Sequence, residues 1–406
     1  MRLGFFAYPW DLADEGPEEA LEVMASRCHS NAILVNSNYH HARLLRPRAR
    51  GPKTLQLPGA VAAFEPDAVR YAAAGITPVA EPGLVNSRVL TRTREICAAA
   101  GIDFGLWSVG LHNSTLGVQH PDLCVRNCFG DIYTYSLCPA GSRVRAYMTA
   151  LVDDLAAQFR PDRIVMEAIG YLGMRHWVHH ELFFVPWNES LELLLSLCFC
   201  PACVESARGA GIDLELLRLR VSSYAELLLD TERGDFPATE TEGQLPSLLV
   251  EIEELQPALR WRAEIVTTMV ADLHAIAHSA GVALEVIPAS FHRLVSRAWF
   301  EGASLSGLGG ASDGLLIPSY FDSAAEVEAD LAWAASDAPG HLLSAGLNAC
   351  APSLSGGSSL EAQALACHAA GCSAIYHYNY GLLTERRLAW VAQANAAVLE
   401  REERAA

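Results

Sequence analysis

Positive charge is scarce in this chain. Its 406 residues carry 29 Lys+Arg against 47 Asp+Glu, a formal net charge of −18, and the basic residues form no cluster of the kind phosphate binding needs. A nucleic-acid partner is therefore not expected. The one basic stretch, Arg43, Arg46, Arg48, Arg50 and Lys53, reads as a solvated loop. There is also no uninterrupted apolar run of about 18 residues, so no membrane span is expected. The opening Met1-Arg2-Leu3-Gly4-Phe5-Phe6 passes straight into a strand-like segment with no leader pattern. Both readings place the chain among soluble, cytoplasmic proteins. The one Gly-x-Ser-x-Gly match, Gly310–Gly314, stands ahead of a strand-like run rather than after one and so makes no nucleophile elbow, and Gly-Lys-Ser/Thr is missing, which removes the serine-hydrolase and nucleotide readings. Leu3–Trp10 is followed by no glycine-rich loop, which argues against a dinucleotide-binding open sheet.

What is present is apolar and regular. Hydrophobic residues make up 51% and charged residues 19%, so a packed core is expected and disorder is excluded as the dominant state. Strand-like runs fall at Leu3–Tyr8, Ala32–Asn36, Phe104–Val109, Arg163–Ala168, Val282–Pro288, Gly314–Ser319, His341–Gly346 and Ser373–Tyr378. Helical patterns alternate with them at Pro17–Cys28, Ser87–Ala100, Val144–Gln158, Ala258–Ala280, Ala324–Ala335 and Leu360–Ala370. Gly101, Gly281 and Gly371 stand where helices should stop. Strand–helix alternation repeated in this way predicts an α/β protein, a (β/α)8 TIM barrel filling residues 1–406 as one domain. Two connections exceed what a barrel needs. One is Leu111–Cys138; the other is a mostly helical insertion over 169–257, between the fourth and fifth strands. Its helices are expected at Leu191–Leu197, Pro201–Gly209 and Leu214–Asp230, with an acidic loop over Thr231–Gly243. Insertions after strands lie on the catalytic face of a barrel.

Three groups of residues carry chemistry. Cys198-Phe199-Cys200-Pro201-Ala202-Cys203 packs three soft ligands into six residues and opens a helix, the spacing of a closed, structural zinc site. Eleven cysteines in a chain with no leader point to thiols and metal before disulfides. Glu167 ends the fourth strand, where barrel enzymes place catalytic groups, and apolar neighbours there raise a carboxyl pKa as a general acid requires. The third group is a set of histidines, asparagines and aromatics at strand carboxyl ends: His40, Trp107, His112, Asn113, Tyr171, His176, His180, Tyr320, Asn348, His377 and Asn379. Aromatic faces with neutral donors suit a sugar, whose C–H faces stack while its hydroxyls bond. His176, His180 and Glu181 also offer a weaker divalent-metal reading.

Tyr135-Ser136-Leu137-Cys138-Pro139, then Val144-Arg145-Ala146-Tyr147, then a strand ending in Glu167, then Cys198-x-Cys200-x-x-Cys203 resembles the family-42 β-galactosidases over roughly residues 130–210. The resemblance implies a barrel glycoside hydrolase with Glu167 as acid/base. It also implies a structural zinc held by Cys138, Cys198, Cys200 and Cys203. The chain departs from that pattern at Met166, where the family has Asn, and at His341–Asn348, where the seventh strand lacks the nucleophilic Glu. Glycosidases need a second carboxyl group about 5–5.5 Å from the first when retaining, or about 6.5–9.5 Å when inverting. The substitutes in sequence are Glu285, Asp322 and Glu181. The expected activity is hydrolysis of a glycoside or oligosaccharide. A non-hydrolytic or metal-assisted sugar enzyme and an inactive carbohydrate-binding barrel are the alternatives, and a homo-oligomer is left open.

Overall fold

The structure is a computed structural model that describes residues 1–176, 188–230, 244–350 and 354–405. Eight parallel strands form its centre. They are β1 (Arg2–Ala7), β2 (Ala32–Tyr39), β3 (Asp103–Val109), β4 (Arg163–Glu167), β5 (Ala283–Val286), β6 (Gly314–Pro318), β7 (Leu343–Asn348) and β8 (Ala374–Tyr378). Each pairs with the next, and β1 pairs with both β2 and β8, so the sheet closes into a barrel. The strands are short and almost wholly buried, as β1 shows with five of its six residues inside. Buried on both faces, such strands become continuous apolar runs. That is why they were visible in the sequence.

Helices such as Val89–Ala100, Ser142–Phe159, Leu255–Ser279 and Gly357–Ala369 wrap the barrel. Gly101 ends the first of these at φ 68°, and Gly281 follows the third at φ 72°, so the expected stops are real. The predicted helix Pro17–Cys28 splits into an α segment, Pro17–Glu22, and a π turn, Val23–Arg27. The seventh strand begins two residues later than expected and ends on Asn348.

Both long connections carry structure. The one after β3 holds a helix, Ser114–Gln119, and an antiparallel hairpin of Cys124–Arg126 with Ile132–Leu137. The one after β4 holds helices Glu189–Ser196, Pro201–Gly209 and Leu214–Leu229, close to the expected bounds. Thr231–Gly243 and Glu181 lie outside the described residues. The two connections bind each other: Tyr133 donates to the Leu195 carbonyl at 2.6 Å, and the Phe199 N–H to that of Arg126 at 2.7 Å. The basic stretch after β2 was expected to be a solvated loop, and it is not one. It contains a second hairpin, Ala42–Leu45 with Thr54–Leu57. Arg46 is buried against Asp11 at 3.1 Å, and Arg48 covers the Tyr380 ring at 4.3 Å. Among the described residues, no single helix is long and apolar enough to cross a membrane.

Candidate active site

A cleft of about 470 Å³ opens at the carboxyl ends of the strands. Glu167, the last residue of β4, stands in its wall and accepts a 2.6 Å hydrogen bond from the Trp107 indole N–H. Trp107 is held by rings on several sides, with Phe6 at 5.2 Å, Tyr39 at 5.5 Å and Tyr8 at 5.5 Å. Tyr8 shares hydroxyl hydrogen bonds with Tyr39 at 2.9 Å and Tyr378 at 2.6 Å. An indole that cannot rotate gives the carboxylate a fixed donor. Burial raises the Glu167 pKa to about 7; the Trp107 bond opposes this and the negative charge of Glu301 adds to it. Glu167 can therefore both hold and release a proton near neutral pH.

The opposite wall comes from the loop after β5, through Ala289, Ser290, Phe291, His292 and Arg293. Buried Glu301 organises this loop by accepting the backbone N–H groups of Ser290 at 3.0 Å and Phe291 at 3.1 Å. The chain leaving β4 is tied to the same place. The Ala168 N–H bonds the Ser290 hydroxyl at 2.9 Å, and Gly170 passes so near Glu301 that a Cβ there would lie 2.2 Å from its carbonyl oxygen. His292 sits between two carboxylates, Glu301 at 3.3 Å and Glu192 at 3.4 Å. Burial alone would lower its pKa, but the two acids outweigh it and carry it up to about 9. His292 is thus a cation at neutral pH, with its charge more than matched.

Of the residues singled out in the sequence, the cleft gathers His40, Trp107, Glu167, His176, Tyr320 and Asn348. His112 is buried just behind them, with its Nδ1 3.1 Å from His176 Nε2 and its ring stacked on His40. His180 lies outside the described residues. Other assignments are corrected by the structure. Asn113 caps the helix after it, accepting the Leu116 N–H at 2.9 Å, and so serves the backbone. Tyr171 is fully buried, 3.8 Å from the Cys203 sulfur, under the Arg262 guanidinium. His377 faces outward from β8 to Asn395 at 2.8 Å, because its neighbours Tyr376 and Tyr378 take the inward positions of the pleat. Asn379 is buried and accepts from the Gly381 N–H.

Neither described substitute for the second carboxylate reaches the cleft. Glu285 points to the amino-terminal end of the barrel, where it pairs with Arg163 at 2.8 Å and Arg2 at 3.2 Å. Asp322 is exposed, 3.9 Å from Arg293, and Ser323 rather than Asp322 caps the following helix. Among the described residues, Glu167 is the sole carboxylate in the cleft lining. Sequence reasoning missed Phe6, Phe291, Arg293 and Tyr378 as lining residues. For Tyr378 the signal was its place at the end of the eighth strand.

The four cysteines converge between the two long connections. Cys138 Sγ lies 3.4 Å from Cys203, 3.5 Å from Cys200 and 3.8 Å from Cys198, and all four are buried. Tetrahedral bonds of about 2.3 Å to zinc place sulfurs about 3.8 Å apart, so the set fits that ion. The Arg126 N–H donates to Cys198 at 3.4 Å, and the buried guanidinium of Arg262 lies near enough to offset thiolate charge.

No family model matches the chain, and no curated protein matches it in sequence. Solved structures do. The catalytic domain of a β-amylase from Paenibacillus polymyxa superposes with TM-score 0.59 at 11% identity, covering 98% of each chain. The α-L-fucosidase isoenzyme 2 of Paenibacillus thiaminolyticus gives 0.58 at 11%, covering 99% of this chain and 50% of its own. A β-galactosidase from the psychrophilic Marinomonas ef1 gives 0.58 at 12%, over 100% and 60%. The chain thus spans half to three-fifths of the last two proteins. At these identities the likeness is one of fold, the (β/α)8 barrel.

Proposed function

We propose that this protein acts on a glycoside or oligosaccharide, with Glu167 as general acid/base. The observation that supports this is the placement of Glu167: the end of β4, in an aromatic-walled cleft, with burial raising its pKa to about 7. A proton donor to a glycosidic oxygen must be protonated at working pH and close to the leaving group. Trp107, Tyr39, Tyr320 and Tyr378 supply the faces on which a sugar ring stacks, and Asn348 supplies an amide at the end of β7.

The four cysteines would hold one structural zinc, which supplies charge to a closed tetrahedral site and no open position. In this reading the ion pins the insertion after β4 to the hairpin after β3. A second reading, a barrel that binds carbohydrate without turnover, is favoured by one observation: no second carboxylate lines the cleft among the described residues. A panel of aryl glycosides tested with wild type and Glu167→Gln separates the two. Hydrolysis lost in the variant with sugar binding retained supports the enzyme, and binding without hydrolysis in both supports the binder.

A further inference from the structure

His40 forms part of the cleft wall, and the glycosidase reading leaves it without a task. It follows Tyr39, the last residue of β2, whose ring lines the same cleft. The His40 ring is clamped between two others. Tyr39 stacks on it at 4.1 Å and 28°, and His112 at 4.1 Å and 13°. Two rings at that spacing cannot share one face, so they take opposite ones. His112 is buried beyond the end of β3, and its Nδ1 lies 3.1 Å from His176 Nε2, so the clamp is itself held. A side chain gripped in this way keeps its polar edge at a fixed place in the cleft.

Hydrogen bonding decides which ring nitrogen carries the proton. His40 Nδ1 lies 2.6 Å from the His41 backbone carbonyl, an atom that can only accept, so Nδ1 is the donor. In a neutral imidazole the other nitrogen is then a bare acceptor. The ring stays neutral. Burial lowers the His40 pKa to about 3; His176 and His41 act in the same direction, and the carbonyl bond opposes them. His40 is therefore uncharged at neutral pH and too weak a base to take a proton from a substrate. Both ring faces and Nδ1 are occupied, and Nε2 has no hydrogen-bond partner among the described residues. It is the one polar atom of the side chain left for a ligand.

We propose that His40 Nε2 is a fixed hydrogen-bond acceptor for one hydroxyl of the bound sugar, and so determines specificity for sugars that carry a free hydroxyl at that position. The inference rests on the glycoside reading and adds to it what the cleft selects. A hydroxyl can donate to Nε2, whereas an ether or a fluorine at the same carbon cannot and leaves the acceptor unmet. The role is one of binding and selection; the proton chemistry stays with Glu167.

Two measurements test this, and neither depends on turnover. The first needs no sugar. NMR of wild type labelled at histidine nitrogen should show His40 protonated at Nδ1 alone, unchanged down to about pH 5, where an ordinary histidine is charged. A proton on Nε2, or titration at about pH 6.5, would overturn the proposal. The second is calorimetry with methyl β-D-galactoside, methyl β-D-glucoside and methyl α-L-fucoside, followed by the monodeoxy and monodeoxyfluoro analogues of whichever binds best. At one ring position both analogues should bind wild type about tenfold more weakly, the worth of one hydrogen bond that only a donor can make. His40→Phe keeps the stacked ring and drops the acceptor. In that variant the parent sugar should weaken by the same factor, and the two analogues should no longer differ from it. Equal discrimination in wild type and variant would overturn the role of His40 and leave the glycoside reading standing. No binding of any of the three sugars to wild type would count against the glycoside reading itself and take the proposal with it. If His40→Phe fails to fold, wild type decides alone: the His40 Nε2 resonance should move with the parent sugar and not with its deoxy analogue, and any other pattern overturns the proposal.

Discussion

At the scale of single residues, the proposed chemistry rests on one carboxyl group and the indole that holds it. Glu167 must be protonated to donate, so the rate should fall as pH rises through about 7, the value burial imposes. Replacing it by Gln should cost about 10²–10⁴ in rate and least with acidic leaving groups, which need little protonation to depart. Trp107 makes a sharper test. Its N–H stabilises the ionised carboxylate, so removing that donor favours the protonated form. Trp107→Phe should therefore move the descending limb of the pH–rate profile to higher pH. A limb that stays in place, or moves down, would mean that Glu167 is not the group being titrated.

At the scale of elements, the loop after β5 is held by charge. His292 has a folded pKa of about 9, against about 6.5 in an unfolded chain. Its pairing with Glu192 and Glu301 thus stabilises the fold in full below about 6.5 and is lost as pH rises towards 9, a change of roughly 2–3 kcal/mol. The raised pKa of Glu167 acts at lower pH, between its unfolded value and about 7. Buried thiols such as Cys28, Cys97 and Cys124, whose pKa burial raises, act only as pH approaches the free thiol value of about 8.5, so the interval from 7 to 8 belongs to His292. Thermal melts should show wild type losing stability between pH 7 and 8, and Glu192→Gln losing less. The proposed zinc site belongs to this scale too. Cys200→Ser should lose about one zinc by elemental analysis and melt at lower temperature, because binding energy at a structural site is folding energy. A metal-free wild type with full stability would end that reading.

The same scale shows what the sequence could reveal. Strands buried on both faces are short apolar runs, and glycine stops such as Gly101 are local chemistry, so the barrel and its helices were legible. Glu167 was legible because a strand's last residue has a defined place in this fold, and Cys198, Cys200 and Cys203 because their spacing is local, whereas Cys138, 60 residues before Cys198, came only from the family resemblance. His377 was misread because one residue of strand phase turns a side chain from the cleft to the outer helices. Asn113 and Tyr171 lie near the right loops but turn to a helix terminus and to the cysteines, choices that depend on tertiary neighbours. The frame of Glu192, His292 and Glu301 joins residues up to 109 positions apart, and no local pattern announces it.

At the scale of the whole molecule, Glu285 belongs to barrel closure rather than to catalysis. It is 4% exposed and bonds Arg163 of β4 at 2.8 Å, Arg2 of β1 at 3.2 Å and Ser344 of β7 at 3.3 Å. Strands from opposite sides of the barrel thus meet on one carboxylate at its amino-terminal end. Arg163 also grips Asp103 of β3, so the network, Glu285's own β5 included, reaches a fifth strand. A charge buried with its partners is costly to leave alone, and removing one member of such a pair usually costs about 3–5 kcal/mol. Arg163 keeps Asp103 when Glu285 is lost, so Glu285→Gln should fall at the lower end of that range. Denaturant unfolding would measure it as a shifted midpoint with an unchanged slope. Because Glu285 lies at the end of the barrel away from the cleft, the folded variant should bind sugar as wild type does. If any glycosidase activity is found, kcat should also be unchanged. A nucleophile would behave in the opposite way, losing turnover on every substrate while the melting curve stayed in place, and that result would return Glu285 to the active site.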